Sequence, residues 1–194
     1  MNPTGTARSD GGTGGGSGGG GAVAAIAAQG ERTLVLHGAG PAGRTAARML
    51  PKLPEVCFVE VGAGTAARGD VDEALRQAVE HGLRQLILLA TADALAALEP
   101  VDGLAGITAD MGGSAELADA VAAAGSARRA YELWEEARLL GPCGRELCRR
   151  VADDLERAAA AVREGSEASP IAVQVVLMDF GGERMVGMYG RLSR

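Results

Sequence analysis

The sequence predicts an α/β domain in which helices cover a mostly parallel sheet and a β-hairpin ends the chain. Short apolar segments such as 83–91, which are continuous in the manner of buried strands, alternate with segments whose apolar residues recur at helical spacing. Glycine or proline separates most of these segments. Strands alternating with helices are typical of a three-layer architecture with a parallel sheet.

In the first half of the chain, the prediction places strands at 33–38, 55–62 and 83–91. The helix expected from residue 41 breaks at Pro51 and Pro54, because proline cannot continue a helix. A second helix is expected over 70–82, with Gly82 as its stop, and a short one over 92–100.

In the second half, segment 103–110 is read as a fourth strand. Ser114 is expected to cap a helix over 115–125, and the bulky residues of 127–141 share a face of the next helix. A long helix over 142–165 should begin near Pro142 and end at Gly165. The final hairpin turns around Gly181 and Gly182.

The expected domain organisation is one folded unit behind a tail. Residues 1–21 consist mainly of glycine, serine and threonine and predict a disordered tail. Residues 22–194 are expected to form a single domain, comprising a βα core (33–113), a helical segment (114–165) and the hairpin (170–194).

Charge and cysteine content restrict the partners and the compartment. The net charge of −6 disfavours nucleic acid and anionic membranes, and no apolar run is long enough to span a bilayer. Three cysteines without framework spacing indicate a reducing, cytoplasmic setting, and a metal site is not expected.

The segment GAGPAGRT (38–45) carries two overlapping phosphate-binding patterns. Gly38, Gly40 and Gly43 spell G-x-G-x-x-G, and they follow a strand and open a helix. The same segment also spells a P-loop, but Arg44 stands where the loop needs the compact ammonium of lysine. We therefore favour the first pattern over a degenerate P-loop NTPase.

Residues 33–60 resemble the Rossmann NAD/FAD fingerprint, since Glu60 lies 20 residues after Gly40, where that fingerprint has its acidic residue. The resemblance implies a Rossmann-like domain with Gly38, Gly40 and Gly43 on a pyrophosphate and Glu60 on a ribose. It implies NAD as the cofactor, with FAD or no ligand as the alternatives that remain open.

For several further candidate residues, we favour a structural role over a functional one. His37 precedes the glycine loop, and Cys143 stands at a predicted helix start, where the helix dipole lowers a thiol pKa. Arg68 could reach a 2′-phosphate. A patch at the end of the predicted fourth strand comprises Asp110, Gly112, Gly113 and Ser114.

The functional expectation is a small dinucleotide-binding protein that acts as an oxidoreductase or as a nucleotide-sensing regulatory subunit. Catalytic residues cannot be assigned from the sequence. The alternative is a non-catalytic interaction protein of the same fold that binds no nucleotide. A homodimer or a protein partner is expected to use the C-terminal hairpin and helices 127–164.

Overall fold

The computed structural model describes residues 18–62, 65–98, 101–162 and 168–190. Residues 1–17 of the expected tail and the expected helix end at Gly165 lie outside these ranges. The first helix begins at Gly18, inside the segment that we expected to be a tail. Within the described ranges, no helix combines the length and apolar character needed to cross a bilayer.

The described residues form eight α-helices and five β-strands, which confirms the α/β class. The helices are α1 (Gly18–Ala28), α2 (Pro41–Met49), α3 (Thr65–Glu80), α4 (Ala92–Leu98), α5 (Val101–Asp110), α6 (Ala115–Ala122), α7 (Ala127–Glu136) and α8 (Leu140–Val162). The strands are β1 (Thr33–His37), β2 (Phe58–Glu60), β3 (Gln85–Thr91), β4 (Ala172–Met178) and β5 (Met185–Gly190), and a 3-10 turn at Glu55–Cys57 leads into β2.

The five strands form one sheet in the order β2-β1-β3-β4-β5. Strands β1 to β4 pair in parallel, and β5 pairs antiparallel with β4. The chain moves from β1 outward to β2 and then returns to the other side of β1 to form β3. The reversal of direction therefore falls between β1 and β3.

The sheet is mixed, which corrects the expectation of a mostly parallel one. A turn of six residues, 179–184, joins β4 to β5. A parallel connection needs a crossover of a dozen or more residues, so this short turn can join only antiparallel strands. The hairpin itself was correctly predicted.

Alternating side chains divide the core between the two faces of the sheet. Val35, Ile87, Leu89 and Val176 pack with Ala46 of α2 on one face. Neighbouring residues such as Leu34, Leu36, Leu86 and Leu88 belong to the larger core, which includes buried residues of α1, α3 and the helices from α4 to α8. This division follows from the two-residue period of a strand.

The strand predicted at 103–110 is wrong, because the segment lies within helix α5. Leu104, Ile107 and Thr108 are all buried, and their i, i+3, i+4 spacing puts them on one helical face. The Thr108 hydroxyl donates to the Leu104 carbonyl at 2.8 Å and accepts from the Trp134 indole nitrogen at 2.8 Å. A short run of mostly apolar and small residues fits either a buried strand or a buried helix, and here tertiary packing selects the helix.

Candidate functional site

A cavity of about 330 Å³ lies at the carboxyl ends of the parallel strands. The loops that follow β1, β2 and β4 contribute to its wall, and so does the first turn of α4, which follows β3 directly. Ligands of open α/β sheets bind at this edge, at the point where the chain reverses direction across the sheet. The cavity occupies that place between β1 and β3, and its volume is at the lower end of the range of small-molecule sites.

The wall of the cavity is mostly apolar. The lining residues are Gly38, Ala39, Pro41, Ala42, Val61, Gly62, Ala67, Val71, Leu88, Leu89, Ala90, Thr91, Asp93, Ala94, Leu98, Phe180, Gly181 and Gly182. Asp93, in the first turn of α4, supplies the one charged side chain of this lining set. Thr91 adds a hydroxyl at the end of β3. The cavity therefore presents apolar surface and one negative charge.

The turn between β4 and β5 forms one wall, and Asp179 holds it in shape. The Asp179 carboxylate accepts hydrogen bonds from the backbone nitrogens of Glu183 at 2.9 Å and Arg184 at 3.2 Å. These bonds stabilise the ionised carboxylate, so they lower the pKa of Asp179. Asp179 thus initiates the hairpin turn.

Phe180, next in the turn, is fixed from its other side by α7. Its ring meets the Tyr131 ring edge-on, with centroids 4.9 Å apart. The guanidinium carbon of Arg128 lies 3.9 Å from the Phe180 centroid, in a cation–π contact. The aromatic wall of the cavity is therefore anchored to the helical layer.

The same turn covers the N-terminus of α2. Gly182 is buried, and a Cβ atom added there would lie 3.1 Å from the backbone nitrogen of Ala42. Pro41, the first residue of the helix, has no N–H group. A pyrophosphate on a dinucleotide fingerprint needs free N–H groups at this helix end. Here one of them is absent and the next is packed against Gly182.

The predicted glycines have three different structural roles. Gly38 lines the cavity. Gly40 precedes α2 with φ of 73°, a conformation that favours glycine. Gly43 faces His37, since a Cβ atom at Gly43 would lie 2.7 Å from the His37 ring carbon Cε1. The His37 Nδ1 atom donates to the Gly38 carbonyl at 2.9 Å, which gives this histidine a structural role.

Glu60 ends β2 and is exposed. Its Cα atom pairs in register with that of His37, and Glu60 does not line the cavity. Ligand contacts by Gly38, Gly40, Gly43 and Glu60 stay predictions. The structure places Gly38 and Gly40 in the turn between β1 and α2 and Gly43 in the first turn of α2, and it leaves Glu60 beside them, on the edge strand.

The other candidate residues have structural surroundings. Cys143 is fully buried, and burial raises the pKa of its thiol to about 11, opposite to the direction a reactive thiol needs. Arg68 donates to the Leu98 carbonyl at 2.7 Å and pairs with Asp72 and Asp154.

The patch at 110–114 does not follow a strand, because α5 replaces the expected one. Asp110 pairs with Arg150 at 2.7 Å, and the Ser114 hydroxyl accepts from the Leu117 nitrogen at 3.2 Å to cap α6. The first contact joins α5 to α8 and the second stabilises the start of α6, so both have a structural role.

Sequence reasoning missed Asp93, Thr91 and the turn 180–182 as parts of one site. Their position at the carboxyl end of a predicted strand could have indicated Thr91 and Asp93, since Thr91 ends that strand and Asp93 follows two residues later. The sequence could not show that the hairpin turn folds back over the glycine loop.

The comparisons with known proteins identify a different group from the one that the glycines suggested. Residues 100–187 match a family described as the C-terminal domain of CbiD. No solved structure matches this chain significantly.

Three curated relatives are each named cobalt-precorrin-5B C(1)-methyltransferase. The relative from Salinispora arenicola is 44% identical over 89% of this chain and 45% of its own length. The relative from Salinispora tropica is 43% identical over 89% of this chain and 45% of its own length. The relative from Rubrobacter xylanophilus is 39% identical over 84% of this chain and 41% of its own length. The chain thus spans less than half the length of the curated relatives it matches.

These similarities correct the predicted family, function and cofactor. The chain is similar to methyltransferases and not to a Rossmann dinucleotide-binding family, so the expected NAD-binding oxidoreductase or nucleotide sensor is wrong. NAD and FAD carry hydride or electrons, whereas the reaction named for the relatives transfers a methyl group. Gly182 packs on Ala42 at the helix end where a dinucleotide fingerprint would bind a pyrophosphate, which is a physical reason why the prediction from the glycine spacing was wrong.

Proposed function

We propose that this chain provides the methyl-donor site of a cobalt-precorrin-5B C(1)-methyltransferase, and that S-adenosylmethionine binds in the cavity beside Asp93. The observation that carries the proposal is a mostly apolar cavity at the carboxyl ends of β1 and β3 with one acidic side chain in its lining. The names of the curated relatives supply the reaction.

The residues of the cavity suit this donor. When bound, S-adenosylmethionine supplies an electrophilic methyl group on a positively charged sulfonium. Leu88, Leu89 and Leu98 offer apolar surface for its adenine ring. Asp93 offers an opposite charge to its cationic part, and the Thr91 hydroxyl a hydrogen-bond partner. S-adenosylmethionine carries a net positive charge at neutral pH, and the lining set contains one acidic and no basic side chain.

The acceptor is expected outside this cavity. A cobalt-precorrin is a tetrapyrrole ring and is too large for about 330 Å³. We propose that the ring lies at the cavity mouth, and that the glycine loop 38–43, which includes Gly38, Gly40 and Gly43, forms part of the rim. Glu60 remains a proposed contact at the same rim.

Two broader expectations remain part of this proposal. The strand order and the position of the cavity support a three-layer, Rossmann-like arrangement, with a single domain over 22–194. The buried free thiols of Cys57, Cys143 and Cys148 support a cytoplasmic location.

A partner surface on the C-terminal hairpin also remains a proposal. Met185, Met188 and Tyr189 of β5 are each more than 40% exposed, at the open edge of the sheet. We propose that a second copy or another protein chain covers this edge and the nearby helices.

Calorimetric titration of the purified chain tests the donor site. We expect binding of S-adenosylmethionine and of its demethylated product, and none of NAD. Asp93→Asn keeps the size of the side chain but removes its charge, so affinity for S-adenosylmethionine should fall at least about tenfold. Asp119→Asn is the matched control, because Asp119 is an exposed carboxylate of α6 that does not line the cavity. No binding of the donor, or equal affinities for the wild type and Asp93→Asn, would overturn the assignment.

A further inference from the structure

A second cavity of about 290 Å³ lies on the outer side of α2. Its lining residues are Pro41, Arg44, Thr45, Arg48 and Glu183. Arg44 and Arg48 are four residues apart and therefore project from the same face of the helix. Two positive charges thus line one small concave surface.

Neither guanidinium is neutralised by a carboxylate among the described residues. The ion pairs of the described chain use other arginines, namely Arg68, Arg76, Arg129, Arg149, Arg150, Arg157 and Arg184. Arg48 donates one hydrogen bond, to the Thr45 hydroxyl at 3.1 Å. Like charges four residues apart on a helix are destabilising, so this pair costs stability that no internal partner offsets.

Glu183 contributes the one acidic group of this cavity lining. It belongs to the turn between β4 and β5 and forms no ion pair with Arg44 or Arg48 in the described structure. Two guanidiniums and one carboxylate leave a net positive charge. The cavity therefore favours an anion, and Glu183 reduces that preference.

The second cavity adjoins the proposed donor cavity. Pro41 lines both cavities, and the turn contributes Gly182 to the donor cavity and Glu183 to the other. An acceptor ring at the mouth of the donor cavity could therefore extend a peripheral side chain over Pro41 to the arginines.

We propose that Arg44 and Arg48 bind a carboxylate side chain of the tetrapyrrole acceptor and so orient the ring towards the methyl donor. This inference rests on the proposed function for the identity of the ligand. Precorrins carry acetate and propionate side chains, and guanidinium groups bind carboxylates through paired N–H···O bonds. Arg44 and Arg48 would be specificity-determining residues, with no part in the transfer itself.

The test measures binding of two cobalt corrinoids to the full chain by calorimetry. One corrinoid has peripheral side chains that end in free carboxylates, and the other has the same ring with those side chains amidated. We expect the carboxylate form to bind at least about tenfold more tightly than the amide form at low salt, with the difference shrinking as salt is raised. The Arg44→Gln/Arg48→Gln variant should lose this difference.

Two further variants make the result specific. Arg84→Gln is the matched control, because Arg84 is exposed, forms no ion pair in the described structure and precedes β3, at the amino ends of the parallel strands and away from both cavities. It should leave corrinoid binding unchanged. Glu183→Gln removes the one negative charge of the cavity and should strengthen binding of the carboxylate form about two- to fivefold.

The outcomes separate this inference from the donor site. Equal affinity for the two corrinoids, or a preference that survives Arg44→Gln/Arg48→Gln, overturns the carboxylate site even when S-adenosylmethionine binds as proposed. A preference that is lost in Arg44→Gln/Arg48→Gln and kept in Arg84→Gln supports the site even when the donor fails to bind, and the proposed donor cavity alone is then wrong.

Discussion

Gly182 in the turn between β4 and β5 lies directly against Ala42 in the first turn of α2. Gly182 has φ of 68°, and a Cβ atom there would approach the Ala42 nitrogen to 3.1 Å and its Cβ to 3.3 Å. The contact joins two segments about 140 residues apart in sequence. It also closes one side of the proposed donor cavity, so the integrity of that cavity depends on a glycine in the hairpin.

Replacing Gly182 by alanine should therefore affect stability and ligand binding together. The positive φ alone costs about 1–2 kcal/mol for a residue with a Cβ atom. The new methyl group must also push the turn away from α2, which opens the cavity wall. We expect a lower free energy of unfolding in urea and weaker binding of S-adenosylmethionine.

The neighbouring glycine provides the control for that variant. A Cβ atom at Gly181 would meet its nearest atoms at 3.6 and 3.8 Å, an ordinary contact distance. Gly181→Ala should thus keep the free energy of unfolding close to that of the wild type. Equal losses in the two variants would show that the turn tolerates no side chain at all, and the specific role of the Gly182–Ala42 contact would be wrong.

The glycine loop gives a second prediction, because its glycines face different surroundings. Gly43→Ala places a methyl group 2.7 Å from the His37 ring, so the ring must move, at a cost of about 1–3 kcal/mol. Gly38→Ala meets no atom within 4 Å and should change the free energy of unfolding by less than about 0.5 kcal/mol.

A double-mutant cycle isolates the cause of the Gly43 effect. In a His37→Ala background, the cost of Gly43→Ala should shrink, since the clashing ring is gone. Urea unfolding of the four proteins measures this coupling. An unchanged cost in that background would mean that Gly43 is needed for the helix backbone and not for the histidine.

The order of helices and strands could largely be predicted from the sequence, because it depends on local patterns. Proline at the start of α2, Gly82 with φ of 71° after α3, and Ser114 before α6 are all signals within a few residues of the boundary they set. The strand prediction for segment 103–110 was wrong because the local pattern of the segment is ambiguous. Burial of Ile107 and Thr108 against other helices selects the helix.

The site was harder to predict, because its parts come together only in three dimensions. The spacing of Gly38, Gly40 and Gly43 is local, and it correctly placed a strand, a tight turn and a helix. What the loop can bind depends on Gly182, which covers the helix end from the opposite end of the chain. Asp93 enters the site only because β3 lies next to β1 in the sheet.

The buried hydrogen bond between Trp134 and Thr108 gives a third prediction. The indole nitrogen donates to the Thr108 hydroxyl at 2.8 Å, and both residues are at most 1% exposed. Thr108→Val keeps the shape but leaves the indole N–H unpaired, which should cost about 1–3 kcal/mol. Thr108→Ser retains the hydroxyl and should cost clearly less. Urea unfolding that ranks the serine variant with the valine variant would contradict the role of the hydrogen bond.

The buried cysteines of α8 give a fourth prediction, on the pH dependence of stability. Burial raises the pKa of the Cys143 thiol to about 11 and that of Cys148 to about 12, from an ordinary value of 9.0. The unfolded chain therefore releases these protons at lower pH than the folded one, and the free energy of unfolding should fall as pH rises above about 9. Each thiol contributes a slope of up to about 1.4 kcal/mol per pH unit between its two pKa values.

Urea unfolding in the presence of reductant, from pH 8 to 10.5, measures the slope. A Cys143→Ala/Cys148→Ala variant should lose the part of the slope that these two thiols contribute, while it keeps Cys57, whose thiol pKa burial also raises. If the two proteins show the same slope, the thiols ionise equally in both states and the burial effect is absent.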